Sequence, residues 1–429
     1  MQTQVPVGSP LARKLFSVGL FTQWQQSAGF GRNLRGAMPT QSAAESKIKM
    51  RSPPGMPVVM ATDLTKTAGD NVSIDCFDII GGKPLVGDVN AEGKGEKLTS
   101  TSMDVRIDLL TKVVDAGGKM AQKRTLHALR GIARSQLVGY YAKLDSQSTL
   151  VHMAGARGTQ VSRDWLIPTA ADVDFAGILI NTVKAPTYNR HFVADNGATK
   201  EIVQGGVNLD DIDSGDVLSL EHFDILRAML DDMVYPLHPV KIPDDPASAD
   251  EPLWVMYVTA RQWNSILVNT TGLVWRTFLQ NAYQRKTQGS KHPLFSGETG
   301  MWNGILVKRL DRFSIRHLPG DSYQYISAAN RYTAAESVGT VNAALTPGYA
   351  VDRALLLGAQ GLAFALGINE GSQYFFSWLE RKYNFERNLE VAGDCMHGKA
   401  KIRFGYPDEA GNVEPTDHGV IAFDTAVKL

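Results

Sequence analysis

The residues that come nearest to a chemical motif are Gly393-Asp394-Cys395-Met396-His397-Gly398-Lys399-Ala400, which share the glycine and lysine spacing of a phosphate-binding loop. Such a loop cradles phosphate in backbone N–H groups at a helix N-terminus, and a Ser or Thr hydroxyl after the lysine reaches Mg²⁺. Here Ala400 stands in the hydroxyl position, and Lys401–Phe404 alternates like a strand instead of opening a helix. Nucleotide chemistry is not expected. Cys395 and His397 are two apart, but no second Cys/His pair completes a ligand set. The acids Asp210, Asp211, Asp213 and Asp216 imitate a calcium loop; with Asp211 as position 1, position 5 is Gly215 and position 12 is His222, so the ligand positions fail. A solvated loop ahead of a helix is the expectation. There is no Gly-x-Ser-x-Gly elbow and no His-Glu-x-x-His helix. The sequence predicts no enzyme, no metal and no cofactor.

The basic residues carry more information. The formal charge is zero overall, yet residues 1–62 hold Arg13, Lys14, Arg32, Arg35, Lys47, Lys49 and Arg51 against Glu45 alone. That segment is a basic arm on a chain whose remainder is acidic. Lys119, Lys123, Arg124, Arg130, Arg134 and Lys143 meet no acid between residues 119 and 144. On a helix, Lys119, Lys123, Arg130 and Arg134 fall within about 60° of arc, and the first of them oppose the helix dipole. The stripe is a candidate for meeting anions, either phosphates or a neighbour's carboxylates. The two cysteines, Cys76 and Cys395, cannot form a disulfide framework, which fits a reducing compartment.

The elements that would position these residues can be read from periodicity. Ser9 and Pro10 suit the start of a helix over Pro10–Trp24. Val72–Ile80 and Met103–Val114 read as strands, the second with Met103, Val105, Ile107 and Leu109 on one face. Residues 81–102 between them hold five glycines and mixed charges, Lys83, Lys94 and Lys97 with Asp88, Glu92 and Glu96. This predicts a long β-hairpin with a polar tip, ordered by a neighbour because an isolated hairpin is marginal. Residues 119–152 read as one long helix with a seam through Leu126, Leu129, Ala133, Leu137, Tyr140 and Leu144. A helix is expected over Leu220–Val234 after Ser219, and a strand over Leu253–Val258. Thr259 and Gln262 then form a capping box. Ile305–Leu310, Lys401–Phe404 and Val420–Ala426 read as strands, and the apolar run Ala354–Ile368 as a buried helix too short to span a bilayer. The prolines at 236, 239, 243, 246 and 252 mark the best internal boundary.

Basic arm, long hairpin, single long helix and mixed remainder, in that order, resemble the capsid fold first seen in bacteriophage Hong Kong 97. Local segments are similar to the major capsid family of enquatrovirus-like podophages. They are Asp63-Leu64-Thr65-Lys66 with Ala68-Gly69-Asp70, and Gly118-Lys119-Met120. Then come Pro293-Leu294-Phe295-Ser296-Gly297, Gly300-Met301-Trp302-Asn303-Gly304, Arg353 to Gln360, and Asp417-His418-Gly419-Val420-Ile421. The basic first 60 residues and the insertion at 236–252 depart from that family.

The resemblance implies an α+β fold with an N-terminal arm (1–70), an extended β-hairpin loop (71–116) and a peripheral domain with a spine helix (117–235). An axial domain (236–400) and C-terminal strands returning to the core (401–429) complete it. It implies a major capsid protein that self-assembles as hexamers and pentamers into an icosahedral shell around double-stranded DNA. Portal, scaffolding and decoration proteins are the further partners, with no membrane. Such a protein is found in the virion and is assembled in the cytoplasm of the bacterial host. On that reading the hairpin tip (Lys83, Asp88, Glu92, Lys94, Glu96, Lys97) lies between subunits. Arg13, Lys14, Arg32, Arg35, Lys119, Lys123, Arg130 and Arg134 face DNA or a neighbour. An encapsulin-like cellular shell and a soluble enzyme with an unrecognised site are the alternatives.

Overall fold

The computed structural model describes residues 20, 30, 34–37, 55–61, 69–77, 84–86, 92–95, 100–124, 129–195, 201–242, 251–287, 293–295, 299–310, 312–368, 376–407 and 411–429. Most of the expected helix over Pro10–Trp24 lies outside the described residues, as do Arg13, Lys14, Arg32, Lys83, Asp88, Glu96 and Lys97.

Two sheets organise the chain. The first has six strands: β1 (Arg35–Ala37), β2 (Val58–Ala61), β5 (Asp108–Gly118), β15 (Leu362–Leu366), β16 (Phe376–Tyr383) and β17 (Asn388–Lys401). Its order is β1-β2-β15-β17-β16, with β5 pairing β17 as well. The second has eight: β6 (His191–Asp195), β7 (Glu201–Gln204), β8 (Trp254–Val258), β9 (Thr299–Trp302), β10 (Ile305–Arg309), β11 (Arg316–His317), β14 (Tyr349–Leu357) and β20 (Val420–Lys428). Its order is β7-β6-β20-β14-β8-β10-β9, with β11 against β14. Among the described residues, three two-stranded sheets complete the β structure: β3 (Asn71–Phe77) with β4 (Ser100–Arg106), β12 (Ser322–Tyr325) with β13 (Ser337–Thr340), and β18 (Arg403–Pro407) with β19 (Val413–Asp417).

The eight-stranded sheet is buried on both faces. Val255, Tyr257, Leu355 and Leu357 point into one core, while Trp254, Met256, Val258, Ala354 and Leu356 point into the other. A strand wetted on neither face has no reason to alternate with polar residues, so it reads as a continuous apolar run. That is why Ala354–Ile368 looked like a helix. The structure corrects this: the run is β14, a turn with Gln360 at φ 55°, then β15. The strands come from both sides of the proline-rich stretch at 236–252, so it does not separate two sheets. In the same way the stretch 236–400 divides, β8 to β11 and β14 entering the eight-stranded sheet and β15 to β17 the six-stranded one.

The helices cover these sheets. The expected long helix appears as α1 (Lys119–Arg124) and α2 (Leu129–Ala154), with residues 125–128 outside the described set. At 1.5 Å per residue the 26 residues of α2 make a rod of about 39 Å. Its first half is amphipathic, burying Ala133, Leu137 and Tyr141, and from Leu144 to Ala154 every residue is buried. After the short α3 (Phe175–Leu179) come α4 (Leu220–Asp232), α5 (Ala260–Val268) and α6 (Gly272–Thr287). Ser219 caps α4 and Thr259 with Gln262 forms the capping box of α5, both where the sequence placed them. Phe223, Leu226 and Leu230 of α4, Trp263 and Ile266 of α5 and Phe278 of α6 pack with Phe192, Trp254 and Phe423 of the eight-stranded sheet.

Candidate functional site

The hairpin is present, with β3 antiparallel to β4 from Asn71 opposite Arg106 to Phe77 opposite Ser100. The single strand expected over Met103–Val114 is corrected to two. It breaks at Ile107, and β5 leaves the hairpin to pair with β17. Val105 and Ile107 turn inward as expected, but past the break Leu109 is 46% exposed. The base of the hairpin is rooted in its own subunit: Val72, Ile74, Val105 and Ile107 pack against Ala363, Ala365, Phe404 and Tyr406. Asn181 pins the break, its side chain accepting from the Arg106 N–H at 3.0 Å and donating to the Arg106 carbonyl at 2.8 Å. Beyond the root, Leu85, Val86, Glu92 and Lys94 are exposed.

The basic stripe divides in two. Lys119 and Lys123 on α1 are exposed and join no ion pair among the described residues. Arg130 departs from the expectation that phosphate or a neighbouring subunit would meet it. It forms a two-point pair with Glu380 of the same chain, at 2.5 and 2.8 Å, and the Glu380 side chain is 1% exposed. The Trp378 indole donates to the same carboxylate at 2.9 Å. Arg134 is half-buried on the next turn. The acid lies 250 positions from Arg130, beyond the reach of any local count of charges.

Arg35 is also corrected. Its side chain is 10% exposed and its guanidinium pairs with Asp145 in the middle of α2, over the ring of Phe364 at 4.8 Å. A guanidinium committed in this way is not offered to phosphate. Asp145 receives a second cation from β17. Lys399 Nζ donates to the Asp145 carboxylate at 2.7 Å, to its backbone carbonyl at 2.8 Å, to Ser148 Oγ at 2.7 Å and to Thr149 Oγ1 at 3.0 Å. Burial alone would raise the Asp145 carboxyl, but the Arg35 and Lys399 charges outweigh it and hold it at about 2. Burial draws the Lys399 ammonium down to about 8.

These contacts explain the false phosphate-loop spelling. Gly393 lies above Tyr141, whose hydroxyl donates to the Gly393 carbonyl. Gly398 lies under the hairpin root, where a Cβ would meet the Arg106 carbonyl oxygen at 1.9 Å. Lys399 serves Asp145. Glycines and lysine are there for close backbone approach and a buried ion pair, all on strand β17.

Two further buried ion-pair clusters hold neighbouring strands together, and sequence reasoning missed both. Arg353 on β14 grips Asp424 on β20 through two 2.7 Å contacts and donates to the Ala154 carbonyl at the end of α2 at 2.9 Å. His191 joins Asp424 at 2.7 Å. Asp417 receives Arg403 at 2.8 Å and Lys401 at 2.7 Å. Arg353 and Asp417 fall in segments that carried the family resemblance, a signal that could have marked them. Among the described residues there is no group of three or more metal-binding side chains, and no helix is long and apolar enough to cross a membrane.

Comparison with known proteins agrees with this architecture. The chain matches the family described as phage capsid protein over residues 4–429. No curated protein sequence matches it. Among solved structures it is similar to the capsid of Ralstonia phage GP4, at 22% identity and TM-score 0.67, covering 90% of this chain and 91% of that one. It is also similar to the capsid of cyanophage Pam1, at 18% identity and TM-score 0.58, covering 88% and 91%. A third is the capsid of Helicobacter pylori bacteriophage KHP30, at 10% identity and TM-score 0.53, covering 88% and 89%. At such identities the likeness establishes the fold, which is of the Hong Kong 97 type, and the family match does not favour the encapsulin and enzyme alternatives. Matched over nearly its whole length, the chain belongs to the phage capsid protein family.

Proposed function

We propose that this capsid protein closes an icosahedral shell around double-stranded DNA through many weak contacts between copies. The observation that carries the reading is the hairpin, whose apolar root is buried in its own subunit while Leu85, Val86, Glu92 and Lys94 are exposed beyond it. An arm rooted at one end, with apolar and mixed-charge residues exposed at the other, is built to reach a second chain. Contacts of only millimolar strength, about −4 kcal/mol each, become a stable shell once every subunit makes several. Complementary charge then sets register more than affinity. On this reading Lys119 and Lys123 meet acids of a neighbouring copy, such as the exposed Asp104 of its hairpin, or genome phosphates. Arg13, Lys14 and Arg32 belong to an arm facing the shell interior, and Lys83, Asp88, Glu96 and Lys97 to the hairpin tip.

The six-stranded sheet with α2 serves as the peripheral domain and the eight-stranded sheet with α4 to α6 as the axial domain. Subunits group as hexamers and pentamers, assembled in the host cytoplasm with scaffolding, portal and decoration proteins, and the chain has no catalytic task. Size-exclusion chromatography with negative-stain microscopy of the expressed protein tests the reading. Shells or capsomers eluting far above the 46.8 kDa subunit are expected. A protein that remains monomeric at every concentration and salt tested overturns it.

A further inference from the structure

We propose that the cavity between the end of α2 and the β12–β13 hairpin is a binding site for a small oxyanion, a phosphate or a carboxylate. The cavity measures about 400 Å³ and its lining includes Arg157, Thr159, Thr169, His317, Ser322 and Tyr323. A water occupies about 30 Å³ of liquid, so the space holds a tetrahedral oxyanion with part of its hydration.

Two side chains in its wall are incompletely matched, one lacking hydrogen-bond partners and the other a counter-charge. His317 is 3% exposed, and neither ring nitrogen has a hydrogen-bond partner among the described residues. Burial pushes its imidazole down to about 4, so at neutral pH it is uncharged, with one N–H to donate. Leaving such a donor unmet is costly, and a partner entering the cavity relieves the cost. Arg157 is 4% exposed and forms no ion pair among the described residues. Its Nε donates to the Ile167 carbonyl at 3.0 Å and its Nη1 to the Gln160 carbonyl at 3.2 Å, and the guanidinium lies 3.5 Å from the centre of the Trp165 ring. Those contacts fix its position without neutralising it, and burial lowers it only to about 10, so it remains a cation.

The remaining groups are compatible with an anion. Asp321 precedes Ser322 of the wall and its charge also bears on His317, and its Oδ2 is engaged by the Thr159 hydroxyl and the Leu318 N–H. The Tyr323 hydroxyl donates to the Gly206 carbonyl. Deeper in, Arg353, Asp424 and His191 bear on His317, but Arg353 and Asp424 cancel one another. The wall thus offers one uncompensated cation, one neutral N–H donor and the hydroxyls of Thr169 and Ser322. That set suits an acceptor-rich anion and not a metal ion.

The test is thermal unfolding of the full-length, unassembled subunit titrated with inorganic phosphate and, separately, with acetate at ionic strength held constant by chloride. A saturable rise in midpoint is expected with at least one of them. His317→Leu should weaken the apparent affinity at least about tenfold, the loss of a hydrogen bond to a charged group. His317→Gln, which keeps a donor, should restore most of it, and Ser322→Ala at the rim reads the same effect should H317L fail to fold. The same titration on assembled shells separates the sources. A response equal to the subunit's identifies a free anion, and its loss on assembly identifies a carboxylate of an adjoining copy. No saturable response to either anion, or one unchanged in both H317L and S322A, overturns the proposal and leaves the cavity to solvent.

Discussion

The ammonium of Lys399 lies 2.7 Å from the Asp145 carboxylate, 254 positions earlier in the chain, and Arg35 closes on the same carboxylate from the other side. One acid in the middle of the long helix thus holds two strands of the six-stranded sheet, β17 and β1. Lys399→Met should cost about 3–5 kcal/mol, because it strips a partner from a buried charge. Arg35→Met should cost less, since Lys399 is the more deeply buried cation and also binds the Asp145 carbonyl and the Ser148 and Thr149 hydroxyls. Urea denaturation of the subunit measures both, and an R35M loss equal to that of K399M would show that the arm's contribution had been underestimated.

Acid should unfold the subunit in two stages. Burial pushes His152 down to about 3 and His317 and His397 to about 4, against about 6.5 in an unfolded chain. Below pH 6.5 the unfolded chain therefore binds more protons than the folded one, and stability falls until the folded values are reached. Asp145 adds a second loss at lower pH. Its depressed carboxyl contributes stability above the unfolded value near 4, which disappears as pH falls through about 2. Replacing His152 with Gln should flatten the slope of stability between pH 6 and 4 by up to about 1.4 kcal/mol per unit. A slope unchanged in that variant would mean that His152 is already protonated in the fold.

The two halves of the basic stripe should behave differently. Lys119→Gln with Lys123→Gln should leave subunit stability within about 0.5 kcal/mol, as surface changes usually do, while weakening assembly or genome retention as salt is raised. Arg130→Gln should instead destabilise the subunit itself, by on the order of 2 kcal/mol, because Glu380 is buried and would lose its cation. Chevron or equilibrium denaturation alongside particle yield separates the two effects. Equal loss of stability in both variants would contradict the division.

Shortening the hairpin tests its reach. Replacing residues 84–99 by a Gly-Ser turn keeps the buried root at Val72, Ile74, Val105 and Ile107, so a folded subunit is expected that closes no shells. Normal particles from that variant would remove the hairpin from the assembly contacts.

Gly131 and Gly139 lie on the exposed side of α2, and a Cβ at either would meet nothing within 4 Å. Alanine at each should stabilise the subunit by about 0.5–1 kcal/mol through helix propensity. If the stabilised subunit then fails to assemble, a second chain approaches the helix backbone at those positions.

What the sequence disclosed followed local rules. The hairpin, the caps at Ser219 and Thr259 and the strands at Trp254, Ile305 and Val420 rest on residues a few positions apart. The strand break at Ile107 escaped notice because alternation continues through it while the partner strand changes from β3 to β17. Ala354–Ile368 escaped because strands buried on both faces carry no period. Arg35, Arg130 and Arg353 find their acids 110, 250 and 71 positions away, so their roles depend on packing that no window of sequence contains.

Strand β20 lies between β14 and β6, in the interior of the eight-stranded sheet. The sheet consequently cannot close, nor Arg353 find Asp424, until residues 420–428 have left the ribosome. A nascent chain still short of that strand exposes the unpaired edges of β14 and β6 and lacks a finished subunit surface. Contacts between copies that rely on the finished sheet are therefore expected only once this strand has been made.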